Sequence, residues 1–344
     1  MATAIASVKR LSESPNLSSI PSSYIHEFDP TDIAAADPDL SIPTVDLSLL
    51  ASDDPDQKSN AVQELDRACQ EWGFFMVINH GVPEPLIKAM IDAADEFFNL
   101  PEEEKPEFEP ENVLTPIRYG TSFNTAKEDV FCWRDFVKIF VHPEFHCPEK
   151  PESLRDILPE YSVRIRDVVK KLLSGISVAL GLKHGEMDKA LGLESCLQIF
   201  VANLYPPCPN PDMALGLTPH SDHGLLTLLV QNDVGGLQIQ HKGKWIDVNP
   251  HPNSILVNTC DQLEVFSNGR YKSVLHRAVV NNKKTRISIA VANGPSMEAE
   301  VSPAITMTTP GYAAMKYKNY LSAQQGNRLN GKSMLQELVR IRDC

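Results

Sequence analysis

Three His-x-acid triplets occur in the chain, at His142, His184 and His220. Ten histidines and 45 acids among 344 residues generate about 1.3 such triplets by chance, so the surroundings must decide which one matters. His142 precedes Pro143 in an expected loop, and His184 sits in a glycine-flanked turn, so both read as solvated surface residues. His220-Ser221-Asp222 stands at the entry to the apolar run Leu225–Val230. Extended backbone there sends residues i and i+2 to one face, and both side chains can reach a common point. A third metal ligand would come from another strand. His276 is central in the β-type run Ser273–Val280, on the face of Val274 and Ala278, with a hydrogen-bonded core histidine as the alternative reading.

Two histidines and one carboxylate on one side of an ion leave the opposite positions open, the facial arrangement of non-haem Fe(II) oxygenases. Ten residues after His276, Arg286-Ile287-Ser288 again places two polar groups on one face of a core-like run. A buried guanidinium is costly unless paired. A dicarboxylic cosubstrate would supply the partner bidentately, helped by the Ser288 hydroxyl. Asn203 and Tyr205 share a strand face just before Pro206-Pro207, and their polar tips could finish such a pocket; a rim tyrosine is the alternative for Tyr205.

The elements that must position these groups change in texture along the chain. Apolar residues at helical spacing predict helices over Ser59–Trp72, from Pro83 through Phe98, and over Glu160–Leu182 with Val163, Val168, Leu172, Ile176 and Ala179 on its stripe. A short strand, Phe74–Ile78, lies between the first two. The proline- and glutamate-rich stretch Pro101–Phe123 reads as a surface loop. After Gly192 come short β-type runs: Leu197–Tyr205, Leu225–Val230, Leu237–Gln240, Lys244–Val248, Ser254–Asn258, Ser273–Val280 and Arg286–Ala292. Such spacing predicts a mainly β fold, a sandwich or jelly roll with helices stacked outside. Helix returns over Tyr312–Gln325 and Ser333–Arg340. The expected division is a helical and strand region over 1–190, a β core over 191–310 and C-terminal helices over 311–344.

Composition bounds the partners. A net charge of −13 argues against a sequence-independent grip on nucleic acid. No apolar run approaches the ~20 residues of a membrane helix. The first 40 residues lack a signal-peptide core and carry Glu13, Glu27 and Asp29, so a loose N-terminus on a cytoplasmic monomer is expected. Seven scattered cysteines (69, 132, 147, 196, 208, 260, 344) without a C-x-x-C pair suit reduced thiols.

Assembled in this order, the motifs resemble the plant 2-oxoglutarate- and Fe(II)-dependent dioxygenases over nearly the whole length. The resemblance rests on Ile42-Pro43-Thr44-Val45-Asp46-Leu47, Glu71-Trp72-Gly73-Phe74-Phe75 and Asn79-His80-Gly81-Val82 near the N-terminus, with His80 read as structural. Trp133-Arg134-Asp135 and Asn203-Leu204-Tyr205-Pro206-Pro207-Cys208 follow, and then His220-Ser221-Asp222, Gly235-Gly236-Leu237-Gln238 and Arg286-Ile287-Ser288. It implies a distorted double-stranded β-helix, with Fe(II) on His220, Asp222 and His276. It also implies 2-oxoglutarate on Arg286, Ser288 and Tyr205 with Asn203 nearby, O2 as second cosubstrate and ascorbate as reductant. The implied chemistry is hydroxylation, desaturation or demethylation of a small, largely apolar metabolite through a ferryl intermediate, giving succinate and CO2.

Family members that act on flavonoids place a phenylalanine where this chain has Ala292, which disfavours that substrate class here; Phe123, Phe131 or Phe136 could supply another aromatic wall. Ala292 and Gly294 are expected to leave room above the iron. An ascorbate-dependent iron oxidase of the same fold and a catalytically silent small-molecule binder are the competing readings.

Overall fold

A computed structural model describes residues 7–15, 17–27, 41–304 and 309–341. Asp29 and Cys344, which entered the sequence reading, lie outside the described residues. The chain begins with α1 (Val8–Ser12), β1 (Thr44–Asp46), α2 (Pro55–Glu71), β2 (Phe74–Ile78) and α3 (Glu84–Asn99). Next come β3 (Ile117–Thr121), β4 (Asp135–His142), α4 (Glu152–Ala179), α5 (Glu186–Leu191) and β5 (Cys196–Tyr205). The central run is β6 (Leu215–His220), β7 (Leu226–Gln231), β8 (Leu237–His241), β9 (Lys244–Val248), β10 (Ile255–Thr259), α6 (Asp261–Phe266), β11 (His276–Val279) and β12 (Arg286–Ser296). Strands β13 (Glu300–Val301) and β14 (Met315–Lys316) and helices α7 (Tyr317–Gln325) and α8 (Ser333–Leu338) complete it.

An eight-stranded sheet in the order β1-β2-β10-β7-β12-β5-β4-β3 faces a four-stranded sheet in the order β6-β11-β8-β9, with β13 and β14 pairing separately. This is the expected mainly β, helix-flanked jelly roll. Helices α2, α3 and α4 cover the outer face of the large sheet. Leu65, Phe97, Phe98, Leu158, Ile165, Leu172 and Ile176 are all but inaccessible there, each contributing roughly 1.5–3 kcal/mol of hydrophobic burial. Gly175 lets α2 and α4 approach: a β-carbon on it would come within 2.9 Å of the Leu65 side chain.

Four expectations change. The stretch read as a surface loop contains β3, because Arg118, Tyr119, Gly120 and Thr121 pair with β4 and are buried despite the prolines around them. Helix α4 starts at Glu152, with Pro159 inside it, and its buried stripe passes through Tyr161, Ile165 and Val168, leaving Val163 47% exposed. The C-terminal helix begins at Tyr317 rather than Tyr312, since Met315 and Lys316 are taken up by pairing with β13. The described N-terminal residues are tied down. Ser7 caps α1, and the backbone N–H groups of Val8 and Lys9 donate to the two carboxylate oxygens of Asp135 at 2.7 and 2.8 Å.

Candidate active site

His220 is the last residue of β6, a strand absent from the sequence reading, and it pairs with His276, the first residue of β11. His276 is thus at a strand end rather than in its middle. The two rings lie 4.1 Å apart between centroids. Asp222 sits just beyond β6 in irregular backbone, and its Oδ1 lies 3.7 Å from Nε2 of His220 and 3.6 Å from Nε2 of His276. Among the described residues, these three form the group whose ligand atoms all fall within 4.8 Å of one another.

Outer contacts orient each ligand. Nδ1 of His220 donates to the Thr218 carbonyl at 2.7 Å, and Nδ1 of His276 to the Val274 carbonyl at 3.3 Å, which leaves each Nε2 lone pair facing inward. Asn258 on β10 donates to Oδ2 of Asp222 at 2.9 Å. Burial alone would raise the Asp222 carboxyl, but the two histidines, Asn258 and Thr227 outweigh it and hold it at about 2. Burial, with His276 adding to it, pulls His220 down to about 3, so both groups are ready to bind a cation without first losing a proton at neutral pH.

The same pocket holds the anion-binding group. Arg286 opens β12, is 2% exposed, stacks over the Tyr205 ring at 4.9 Å and donates from Nη2 to Oε1 of Gln231 at 2.8 Å. Its Nε has no partner, and among the described residues no carboxylate lies within ion-pair distance. An orphaned buried guanidinium donor fits a dicarboxylate cosubstrate and is expensive without one. Ser288 and Asn203 face each other across β12 and β5, with Asn203 donating to the Ser288 hydroxyl at 3.3 Å. Tyr205 is 3% exposed, so it is no rim residue.

Phe123, Phe136 and Ala292 line the pocket together with these groups. Phe131 does not. It packs edge-on against Tyr24 at 5.8 Å, in a satellite core with Val8 and Trp133, because the N-terminal segment draws it to the other side of the β4 approach. Ala292 does face the cavity, but the room expected beside Gly294 is filled: a β-carbon there would fall 2.1 Å from the Tyr317 hydroxyl. Of the other triplets, His184 is exposed as expected. His142 ends β4 rather than lying in a loop, and its Nδ1 donates to the Cys196 carbonyl at 2.6 Å. His80 holds a turn, accepting from the Val82 N–H at 3.1 Å and lying 3.3 Å from the Asn253 carbonyl.

Several site residues escaped the sequence reading. Gln231 and Asn258 are polar ends of apolar runs, a pattern that could have been noticed. Arg118 and Lys138 also line the cavity, on strands β3 and β4 that were not foreseen, and so does Arg134 just ahead of β4.

Comparison with known proteins agrees with this geometry. Residues 196–295 match the 2OG-Fe(II) oxygenase superfamily, and residues 42–161 match the non-haem dioxygenase in morphine synthesis N-terminal family. The 2-oxoglutarate-dependent dioxygenase 19 of Oryza sativa subsp. japonica is 48% identical over 89% of this chain and 92% of its own. Flavanone 3-dioxygenase 2 of the same organism is 38% identical over 87% of this chain and 86% of its own. The crystal structure of JOX2 in complex with 2OG, Fe and JA superimposes with a TM-score of 0.87 at 32% identity, covering 98% of this chain and 99% of that one. The chain therefore belongs to the plant 2-oxoglutarate- and Fe(II)-dependent dioxygenases.

Proposed function

We propose that His220, Asp222 and His276 hold the Fe(II), that Arg286 and Ser288, flanked by Tyr205 and Asn203, seat the distal carboxylate of 2-oxoglutarate, and that a small plant metabolite binds in the remaining cavity. The observation that carries this assignment is the convergence of three cation ligands and an unpaired buried guanidinium in one pocket. Bound iron with 2-oxoglutarate and O2 supplies the oxidising chemistry, in which the cosubstrate leaves as succinate and CO2 while a substrate C–H bond is oxidised.

The chain's own groups do the rest. Asp222 presents one oxygen to the cation and keeps the other on Asn258. The histidines keep their Nδ1 protons on backbone carbonyls. Arg286 fixes the cosubstrate by its far end, and Leu217, Leu229, Leu256, Ala290 and Ala292 exclude water around an apolar substrate body.

The test is release of labelled CO2 from 2-oxoglutarate by the purified protein with Fe(II) and ascorbate, abolished by Asp222→Ala. Turnover by Asp222→Ala would overturn the ligand assignment. The net charge of −13 supports a protein that does not grip nucleic acid, and among the described residues no helix is long and apolar enough to cross a membrane.

A further inference from the structure

The edge of the large sheet places cations where an apolar pocket should have none. Arg118 on β3 and Lys138 on β4 are direct cross-strand partners, and both side chains line the cavity. They are 4% and 5% exposed. Like charges directly opposite each other on a sheet are destabilising, and burial magnifies the cost. Arg134, 5% exposed, adds a third cation; its guanidinium lies 4.8 Å from the Phe136 ring, on which Arg118 also sits at 5.3 Å.

Among the described residues none of the three forms an ion pair, and their hydrogen bonds run to neutral oxygens. Lys138 Nζ donates only to neutral oxygens, the Val113 carbonyl at 2.9 Å and the Gln325 amide at 2.7 Å. Arg118 donates to the Phe123 carbonyl at 3.3 Å, and its Nε has no partner. The nearest acids, Glu109 and Glu128, favour the Arg118 charge from a distance but spend their hydrogen bonds on other groups. Glu128 accepts from Ser122, Phe123 and Asn124, and Glu109 from Thr121 and Thr125. Burial, with Arg118 and Arg134 adding to it, pulls Lys138 down to about 7, as expected of an ammonium that lacks an anion.

Arg118 and Lys138 are offset from the cosubstrate position, whereas Arg134 reaches it by donating to Asn203 Oδ1 at 3.2 Å. Lys138 is in register with Val201, and Val201 with Ala290, four residues along β12 from Arg286. That is about 13 Å along the strand and about 10 Å across two strands. The backbone positions that carry Arg118 and Lys138 are thus set apart from the one that carries Arg286, with the apolar residues Val201, Ala290 and Ala292 on the sheet face nearby.

We infer that Arg118 and Lys138 form a substrate subsite that takes a carboxylate, so that the enzyme's substrate is an apolar metabolite bearing a carboxylate group, anchored at the β3–β4 edge with its apolar body directed toward the metal ligands. The inference rests on the cavity being the active site proposed above. Phe136 and Ile199 supply apolar wall beside the anchor, and Gln324 and Gln325, at the end of α7, line the cavity beside Lys138.

The experiment is calorimetry on the Fe(II) protein with saturating 2-oxoglutarate under argon. The probes are the ω-phenylalkanoates from phenylacetate to 6-phenylhexanoate and their methyl esters. At least one acid is expected to bind tenfold or more tightly than its ester, with that preference falling below threefold in both Lys138→Met and Arg118→Met.

Lys138→Met is also expected to melt no lower than the wild type, because it removes an unpaired buried charge; a purely structural lysine would lower the melting temperature instead. Equal affinity for acid and ester, no binding by any acid, a preference that survives both substitutions, or acid binding that disappears as 2-oxoglutarate is raised would each overturn the subsite. Labelled CO2 release measured on the same preparation separates the two failures. Turnover without acid preference sinks only the subsite, whereas absence of turnover sinks the active-site reading.

Discussion

Asn258 holds Oδ2 of Asp222 at 2.9 Å while Oδ1 faces Nε2 of both His220 and His276 at 3.6–3.7 Å, so a neutral amide, with Thr227 beside it, orients the carboxylate toward the two histidines. Removing that amide costs the carboxylate a hydrogen bond and leaves Thr227 alone to hold it. Asn258→Leu is expected to weaken Fe(II) affinity about 10–100-fold with the fold retained. Competition with a chelator, alongside the far-ultraviolet circular dichroism spectrum, measures both.

Asp222→Ala removes the anionic ligand outright. Iron-dependent turnover should vanish under iron supplementation while the far-ultraviolet circular dichroism spectrum stays that of the wild type.

Arg286→Lys tests the fork geometry. A lysine ammonium delivers a point charge and cannot donate two parallel bonds, so the KM for 2-oxoglutarate should rise about tenfold or more. An unchanged KM would place the cosubstrate carboxylate elsewhere.

Ala292→Phe fills the cavity from β12, where Ala292 stands between Ile199 and Thr227. With Tyr317 already packed against Gly294, the new ring can turn only toward the cavity. The ratio of succinate formed to substrate oxidised should climb about tenfold. A ratio equal to the wild type would show that position 292 does not shape the substrate space.

Asp135 predicts a pH effect on stability. Burial pushes its carboxyl up to about 6, against the lowering effect of the Lys9 and Val8 N–H groups. Between about pH 4 and pH 6 the folded state binds more protons at this site than the unfolded chain, so this contribution to stability falls as pH rises through that window. Asp135→Asn should therefore gain on the wild type from pH 4 to pH 7, by up to about 3 kcal/mol. Denaturant midpoints across that range measure the difference, and a gap that narrows with rising pH would contradict the sign.

That His220, Asp222, His276 and Arg286 share one cavity was legible because polar residues beside or within apolar runs sit badly with a core reading. Strands β5 and β7 to β12 were legible from glycine, proline and asparagine punctuation. Strands β3 and β4 were not, since prolines and glutamates precede β3 and the run containing Lys138 looks neither alternating nor purely apolar. The missing β6 explains why His276 was placed mid-strand: with no partner strand in view, the run Ser273–Val280 had no visible starting point. Phe131 was misplaced for a different reason, namely that its partner Tyr24 lies over a hundred residues earlier, and no local pattern carries that contact.

The clamp of Val8 and Lys9 on Asp135 ties the opening of the chain to the cavity, because Asp135 stands between Arg134 and Phe136, both of which line it. Residues 7–27 lie ahead of both family-matched stretches, yet Tyr24 braces Trp133 edge-on at 5.2 Å and Asn210 holds the Ile20 N–H. An enzyme begun at residue 41 would leave a buried carboxylate without its donors and a tryptophan without its cover, directly behind the substrate wall. Trimming or fusing at the amino end thus reaches the active site from behind, and a catalogue of parts confined to the matched stretches would omit the backing of one of its walls.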